Sequence, residues 1–217
     1  MEENQKNIVF RTLRADEILC RVQSIKNGRL TLLLYKDARC DINILNETVG
    51  NLWWERDIPN KGECRVSLWN KEIHDWVGKT DVGTASQFEP EKGLASDAFK
   101  RANVNWTIGL ELYSAPEIVL FAKKGDFKPC EGNPNATYDR FEVGSIEYNE
   151  LRQITKLVIL RVRRDESTDW KTKKQVVYSY GYEDEDTGKV DAQAIVESVK
   201  HAREMKQQVI DAIREES

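Results

Sequence analysis

EPEKGLASDAFKRANVNWTIGLELY, residues Glu89–Tyr113, is the stretch on which the fold turns. Pro90 suits a first helical turn, where its missing N–H would have no partner in any case. Leu94, Ala98, Ala102 and Trp106 then recur every four residues, with Ala95 and Phe99 on the adjacent row. That spacing predicts a helix laid along a core, and its alanines permit close approach to a sheet. Ser96, Asp97, Lys100, Arg101 and Asn105 fall on the other side, and Gly109 marks the end of the regular helix. Asp97 precedes Arg101 by four residues, a spacing at which a carboxylate can hold a guanidinium. A buried helix thus presents an adjacent lysine and arginine, which on composition alone read as an ordinary solvated face.

Upstream, Ile18, Leu19, Val22 and Ile25 have helical spacing within Ala15–Ile25, and Asn27-Gly28 supplies a stop. Leu30–Tyr35 is a short apolar run, a buried strand, followed directly by Lys36, Asp37, Ala38 and Arg39. Ile42, Leu45 and Val49 predict a short helix running into Gly50. Trp53 and Trp54 point to opposite faces if they lie in a strand, so at least one ring is core, and the other either packs as well or stacks on a base. Cys64–Asp75, alternating loosely through Val66, Leu68 and Ile73 with a turn at Asn70-Lys71, and then Trp76–Gly83, add strands before the central helix. The expected fold is α+β: an antiparallel sheet of three or more strands packed on a long central helix in the order β-β-β-α, with the first helix nearby.

Downstream, Ile118–Ala122 reads as a strand and 123–134, with its glycines and prolines, as an exposed loop. Phe141–Tyr148, Ile154–Arg163 and Lys173–Tyr182 are strand-like. Arg161, Arg163, Arg164, Lys171, Lys173 and Lys174 make this hairpin region basic, either as a solvated surface or as a second nucleic-acid surface. The acidic run at 183–186 is a solvated turn. Asp191 can cap a last helix through Ala192, Ile195, Val199, Ala202, Val209 and Ile213, which packs on its own domain or on a neighbouring subunit. The chain divides on this reading into 1–122 and 123–217, the second part being β-rich with a C-terminal helix.

With 217 residues, 40% hydrophobic and 32% charged, and mean hydropathy −0.63, the chain can bury a real core under a polar surface. No apolar run approaches the roughly 20 residues of a membrane span, and the first residues lack the layout of a secretory signal, so a cytoplasmic location is expected. Cys20, Cys40, Cys64 and Cys130 are unevenly spaced, as reduced thiols rather than a zinc site or a disulfide framework. A sequence pI near 5.5 is unlike a typical nucleic-acid binder, although phosphate contact depends on local charge. There is no phosphate-binding G-x-x-x-x-G-K-[ST] loop, no HExxH among the two histidines His74 and His201, and no G-x-S-x-G elbow. No catalytic residue, metal ligand or cofactor is assigned.

The wording of four segments goes further. DVG (81–83), KG (92–93), SDAFKRA (96–102) and W-x-I-G-x-x-L-Y (106–113) resemble the single-strand DNA annealing proteins of the Rad fifty-two superfamily, most of all phage-encoded annealing recombinases. YKDARCDINILNETVGNLWW (35–54) extends the resemblance through Arg39, Asn46-Glu47, Gly50 and Trp53-Trp54, and the likeness covers 15–122. The chain departs from the pattern at Asn103, Thr107 and Leu110, where phage relatives favour Ala, Gly and Arg. It departs again at Asn51, where eukaryotic members carry a groove tyrosine.

The resemblance implies that Lys100, Arg101 and Arg39 line a groove holding the DNA backbone. With Lys36, Lys92 and Trp54, these are the candidate DNA-contacting residues. It also implies a non-catalytic, ATP-independent annealing protein of homologous recombination and DNA repair, needing no cofactor, with 1–122 as the annealing core. The implied partners are single-stranded DNA, the annealed duplex intermediate, further copies in a ring or filament, and a single-strand-binding protein of the host, with no membrane involved. The other reading is a metal-dependent DNA-processing nuclease or an accessory DNA-binding protein.

Overall fold

The computed structural model describes residues 8–85, 89–164, 172–183 and 189–215. In chain order the strands are β1 (Leu19–Lys26), β2 (Arg29–Tyr35), β3 (Trp54–Asp57), β4 (Glu63–Asn70), β5 (Asp75–Val82), β6 (Ile118–Phe121), β7 (Pro129–Cys130), β8 (Asn133–Thr137), β9 (Arg140–Tyr148), β10 (Ile154–Arg164) and β11 (Thr172–Tyr180). The α-helices among the described residues are α1 (Ala38–Val49), α2 (Pro90–Val104) and α3 (Ala192–Glu215). The fold is α+β, and every strand pairing among the described residues is antiparallel.

The packing does not follow a cut at residue 122. One compact unit comprises the described residues up to Leu13 together with Lys36–Glu111; the other comprises Arg14–Tyr35 and the chain from Leu112 onward. The cause is strand pairing. β2 pairs with β6 and β1 with β9, so the N-terminal hairpin belongs to the C-terminal sheet.

In the first unit, β3, β4 and β5 form a three-stranded sheet in that order, and α2 packs on β4 and β5. Pro90 occupies the first turn of α2 as expected, and Ala98, Phe99 and Ala102 are buried along its stripe. The helix backbone comes so close to the end of β5 that a Cβ on Gly83 would overlap the Leu94 carbonyl oxygen and the Ala98 nitrogen. Only glycine fits there, which gives the DVG segment a packing reason. Phe10 and Leu13 are also buried, and the Leu13 amide donates to the Glu111 carboxylate at 2.7 Å.

In the second unit a six-stranded sheet runs β11-β10-β9-β1-β2-β6, and its outer strands β6 and β11 touch, so the sheet curls towards a barrel. The helix expected over Ala15–Ile25 is instead a short 3-10 turn, Ala15–Glu17, followed by β1. Asn27 and Gly28 both have positive φ, at 52° and 72°, and they join Lys26 to Arg29 in register. That is the two-residue hairpin an Asn-Gly pair favours, so these residues turn the chain between strands instead of ending a helix. The 123–134 loop also contains β7 and the start of β8.

Asp191 accepts from the Ala194 amide at 2.9 Å, as a helix cap should. The first turns of α3 then bury Ile195 and Val199 on Val158, Leu160 and Tyr182 of their own unit. No described helix is long and apolar enough to cross a membrane.

Candidate nucleic-acid interface

α1 begins where Asp37, its N-cap, accepts the Cys40 amide at 2.9 Å, and it ends at Gly50 with φ +84°. Ile44 and Leu45 are fully buried, which turns Arg39 of the first turn out to solvent. α2 is held on its sheet by Phe99, whose ring lies 6.3 Å from that of Trp54 and 4.8 Å from the Arg56 guanidinium. The opposite side of α2 carries Lys100, half-buried, and Arg101, exposed. α1 and α2 pack against each other, so Arg39 and the Lys100-Arg101 pair sit on two joined helices of one unit.

The pair has a partner on the sheet that the helical spacing does not suggest. Arg101 donates to Asp81 of β5 at 3.3 Å. Asp97 lies 3.8 Å from Lys100 and accepts the Thr84 amide at 3.0 Å. Both ion pairs are partly open to water and constrain geometry more than they stabilise. Lys92, near the start of α2, is exposed and pairs with Glu89 at 3.1 Å.

Two candidates are placed differently from the others. Lys36 is 4% exposed; its ammonium bonds the buried Asp41 carboxylate and donates to the Lys100 carbonyl at 3.4 Å. It is an internal residue that cannot reach a phosphate in solvent, contrary to its expected place among the DNA contacts. Burial raises the Asp41 carboxyl to about 7, against the lowering effect of Lys36 and Lys100. Trp54 is half-buried, with its indole N–H donating to Asn46 at 2.7 Å and its ring on Phe99, so it serves the core.

Trp53 is the exposed one of the two, at 45%. Its carbonyl accepts from Trp69, which is registered with Trp76, so three tryptophans cross the sheet in one row on the face away from α2. Lys71 lies 5.5 Å from the Trp53 ring centre, while Glu55 and Asp57 share the same sheet face. Tryptophans at matching distances from successive turns are the sequence signal for that row.

The basic hairpin is less available than its composition implies. Arg161 is 2% exposed, bonded to the Gly125 carbonyl and 3.4 Å from Asp139. Arg163 pairs with Asp139 at 3.2 Å and Lys174 with Glu142. Lys171 and the side chains of Arg164 and Lys173 lie outside the described residues, as does 184–186 of the acidic run. Among the described residues no group of three or more His, Cys, Asp or Glu is arranged to hold a metal ion. Compared with protein-family models, curated proteins and solved structures, the chain matches none.

Proposed function

We propose that this chain is an ATP-independent single-stranded DNA-binding and annealing protein that works as a homo-oligomer. One observation carries the reading. The Ser96-Asp97-x-x-Lys100-Arg101-Ala102 pattern falls on a helix whose other side is buried on a three-stranded sheet, with Lys100 and Arg101 on the open side and Arg39 exposed on the adjoining helix. On this reading β3-β4-β5-α2 is the annealing core of the superfamily that the sequence resembles.

Arg39, Lys100 and Arg101 neutralise phosphates without reading base edges, which leaves the bases free to pair. Three cations on one protomer hold little DNA, so repetition along a ring or filament supplies the affinity. No nucleotide is consumed, because forming a duplex is downhill once strand repulsion is screened.

The test is annealing of complementary oligonucleotides in EDTA without nucleotide, by the native protein and by Lys100→Ala/Arg101→Ala. Native protein should accelerate annealing and the variant should not. The slope of log K against log salt on single strands should flatten by about 0.7 for each phosphate no longer neutralised. Unaltered binding and slope in a folded variant would return the pair to an ordinary solvated face.

A further inference from the structure

We infer that the buried Lys36–Asp41 pair is a positioning device for the proposed DNA-contacting residues, tying α1, which carries Arg39, to α2 at Lys100. This inference rests on the proposed function of those residues. Lys36 lies just ahead of α1 and Asp41 in its first turn, both buried. The Lys36 ammonium bridges the Asp41 carboxylate and the Lys100 carbonyl, so one buried cation joins the two helices beside both solvent-facing candidates. Its stem passes through space that only a glycine leaves open. Gly109 has φ +77°, and a Cβ there would overlap the Lys36 stem.

The pair is not explained by stability alone. A buried ion pair is commonly no better than well-packed apolar residues of the same volume, because desolvating two charges offsets their attraction. Here the second Asp41 oxygen, Oδ2, is buried without a hydrogen-bond partner, so the pair is incompletely satisfied. The charges acting on Asp41 are Lys36, Lys100 and Asp37. When Asp41 is ionised, Lys36 and Asp41 together are neutral and add nothing to the attraction for phosphate. What they supply is the spacing between Arg39 and Lys100.

The experiment compares native protein, Asp41→Asn and Lys36→Met/Asp41→Leu at pH 8, by thermal melting and by anisotropy of a labelled oligo-dT. Asp41→Asn removes a negative charge near Lys100, so electrostatics alone would tighten binding; positioning weakens it, on the order of tenfold. The apolar double variant keeps the net charge and should melt at or above the native temperature, yet still bind on the order of tenfold more weakly. Should Asp41→Asn fail to fold, the double variant decides alone. Native-strength binding by a stable double variant, or tighter binding by Asp41→Asn, overturns the inference and leaves the proposed function standing. Native protein that binds no single strand at any salt overturns both.

Discussion

Arg101 on α2 and Asp81 on β5 are paired across the helix–sheet junction at 3.3 Å, and Asn105 holds the other Asp81 oxygen at 3.2 Å. The arginine offered for phosphate contact is therefore already engaged by a carboxylate. A strand that binds there must compete with Asp81. Removing that carboxylate takes one competitor away. Asp81→Asn is expected to tighten single-strand binding up to about fivefold, since a partly exposed pair is worth about 0–1 kcal/mol. Titration of an oligonucleotide checks this, and weaker binding in a folded variant would count against Arg101 as a DNA-binding residue.

Asp41 makes stability depend on pH in a defined direction. Its carboxyl titrates at about 7 in the fold against 3.8 for an unperturbed aspartate, so between the two the native state binds the extra proton. The contribution is therefore greatest below the lower value. It is lost as pH rises towards 7, at up to about 1.4 kcal/mol per unit, and is level above that. Denaturant unfolding of native protein and Asp41→Asn from pH 4 to 8 isolates the effect: the difference between them should change from pH 4 to about 7 and level off above that. A difference that stays constant throughout would refute the assignment.

Gly83→Ala is expected to destabilise by about 1–3 kcal/mol, because the added methyl meets helix backbone that cannot step aside. Gly132→Ala is the comparison. Its φ is positive, at +75°, but the space around it is open, so it registers backbone strain without overlap. Melting temperatures of the two variants separate the effects, and native-like melting of Gly83→Ala would show that the helix yields to the methyl.

Thr107 sits at φ +69° just after α2, in a left-handed conformation that a β-branched residue rarely adopts. Thr107→Gly relieves a left-handed cost of about 1–2 kcal/mol against about 0.5–1 kcal/mol of extra glycine entropy, and a raised melting temperature is expected where that relief exceeds the loss of the threonine's own interactions. A lower melting temperature would mean that the threonine side chain contributes more than its backbone costs.

Arg161 and Asp139 form a buried pair in the second unit. Asp139→Ala leaves Arg161 without its carboxylate and should cost about 3–5 kcal/mol, with single-strand binding per folded molecule unchanged. Loss of DNA binding without loss of stability would reinstate the hairpin as a nucleic-acid surface.

The central helix was legible because its signals agree: Pro90 at the start, a four-residue apolar stripe and small residues where the sheet comes close. Leu30–Tyr35 and the strand through Val66 and Leu68 were legible as apolar runs, whereas Ile73, read with them, lies exposed in the turn between β4 and β5. Ala15–Ile25 misled because Ile18, Val22 and Ile25 satisfy helical spacing while β1 alternates poorly, with only Ile25 of the strand buried. Asn27-Gly28 was the better signal, and it favours a hairpin. Lys36 could not be read from the chain. Its partner lies five residues on, across a helix start, and its burial depends on Gly109 and α2, which only tertiary packing brings near. The choice between Trp53 and Trp54 was likewise undecidable until Asn46 and Phe99 were in place.

The interleaving of the two units constrains how the molecule can be made. The backbone passes from one unit to the other at Leu13, at Tyr35 and again at Glu111. The first unit is thus largely an insertion within the second. During synthesis the β1–β2 hairpin leaves the ribosome long before β6 and β9, the neighbours that flank it, have been translated. The inserted sheet and α2 can close earlier, and a chain stopped after residue 122 would leave one edge of the hairpin without its mate. Aggregation-prone nascent chains are therefore to be expected from truncations placed there, whereas excising the stretch between Tyr35 and Leu112 would spare every strand of the larger sheet.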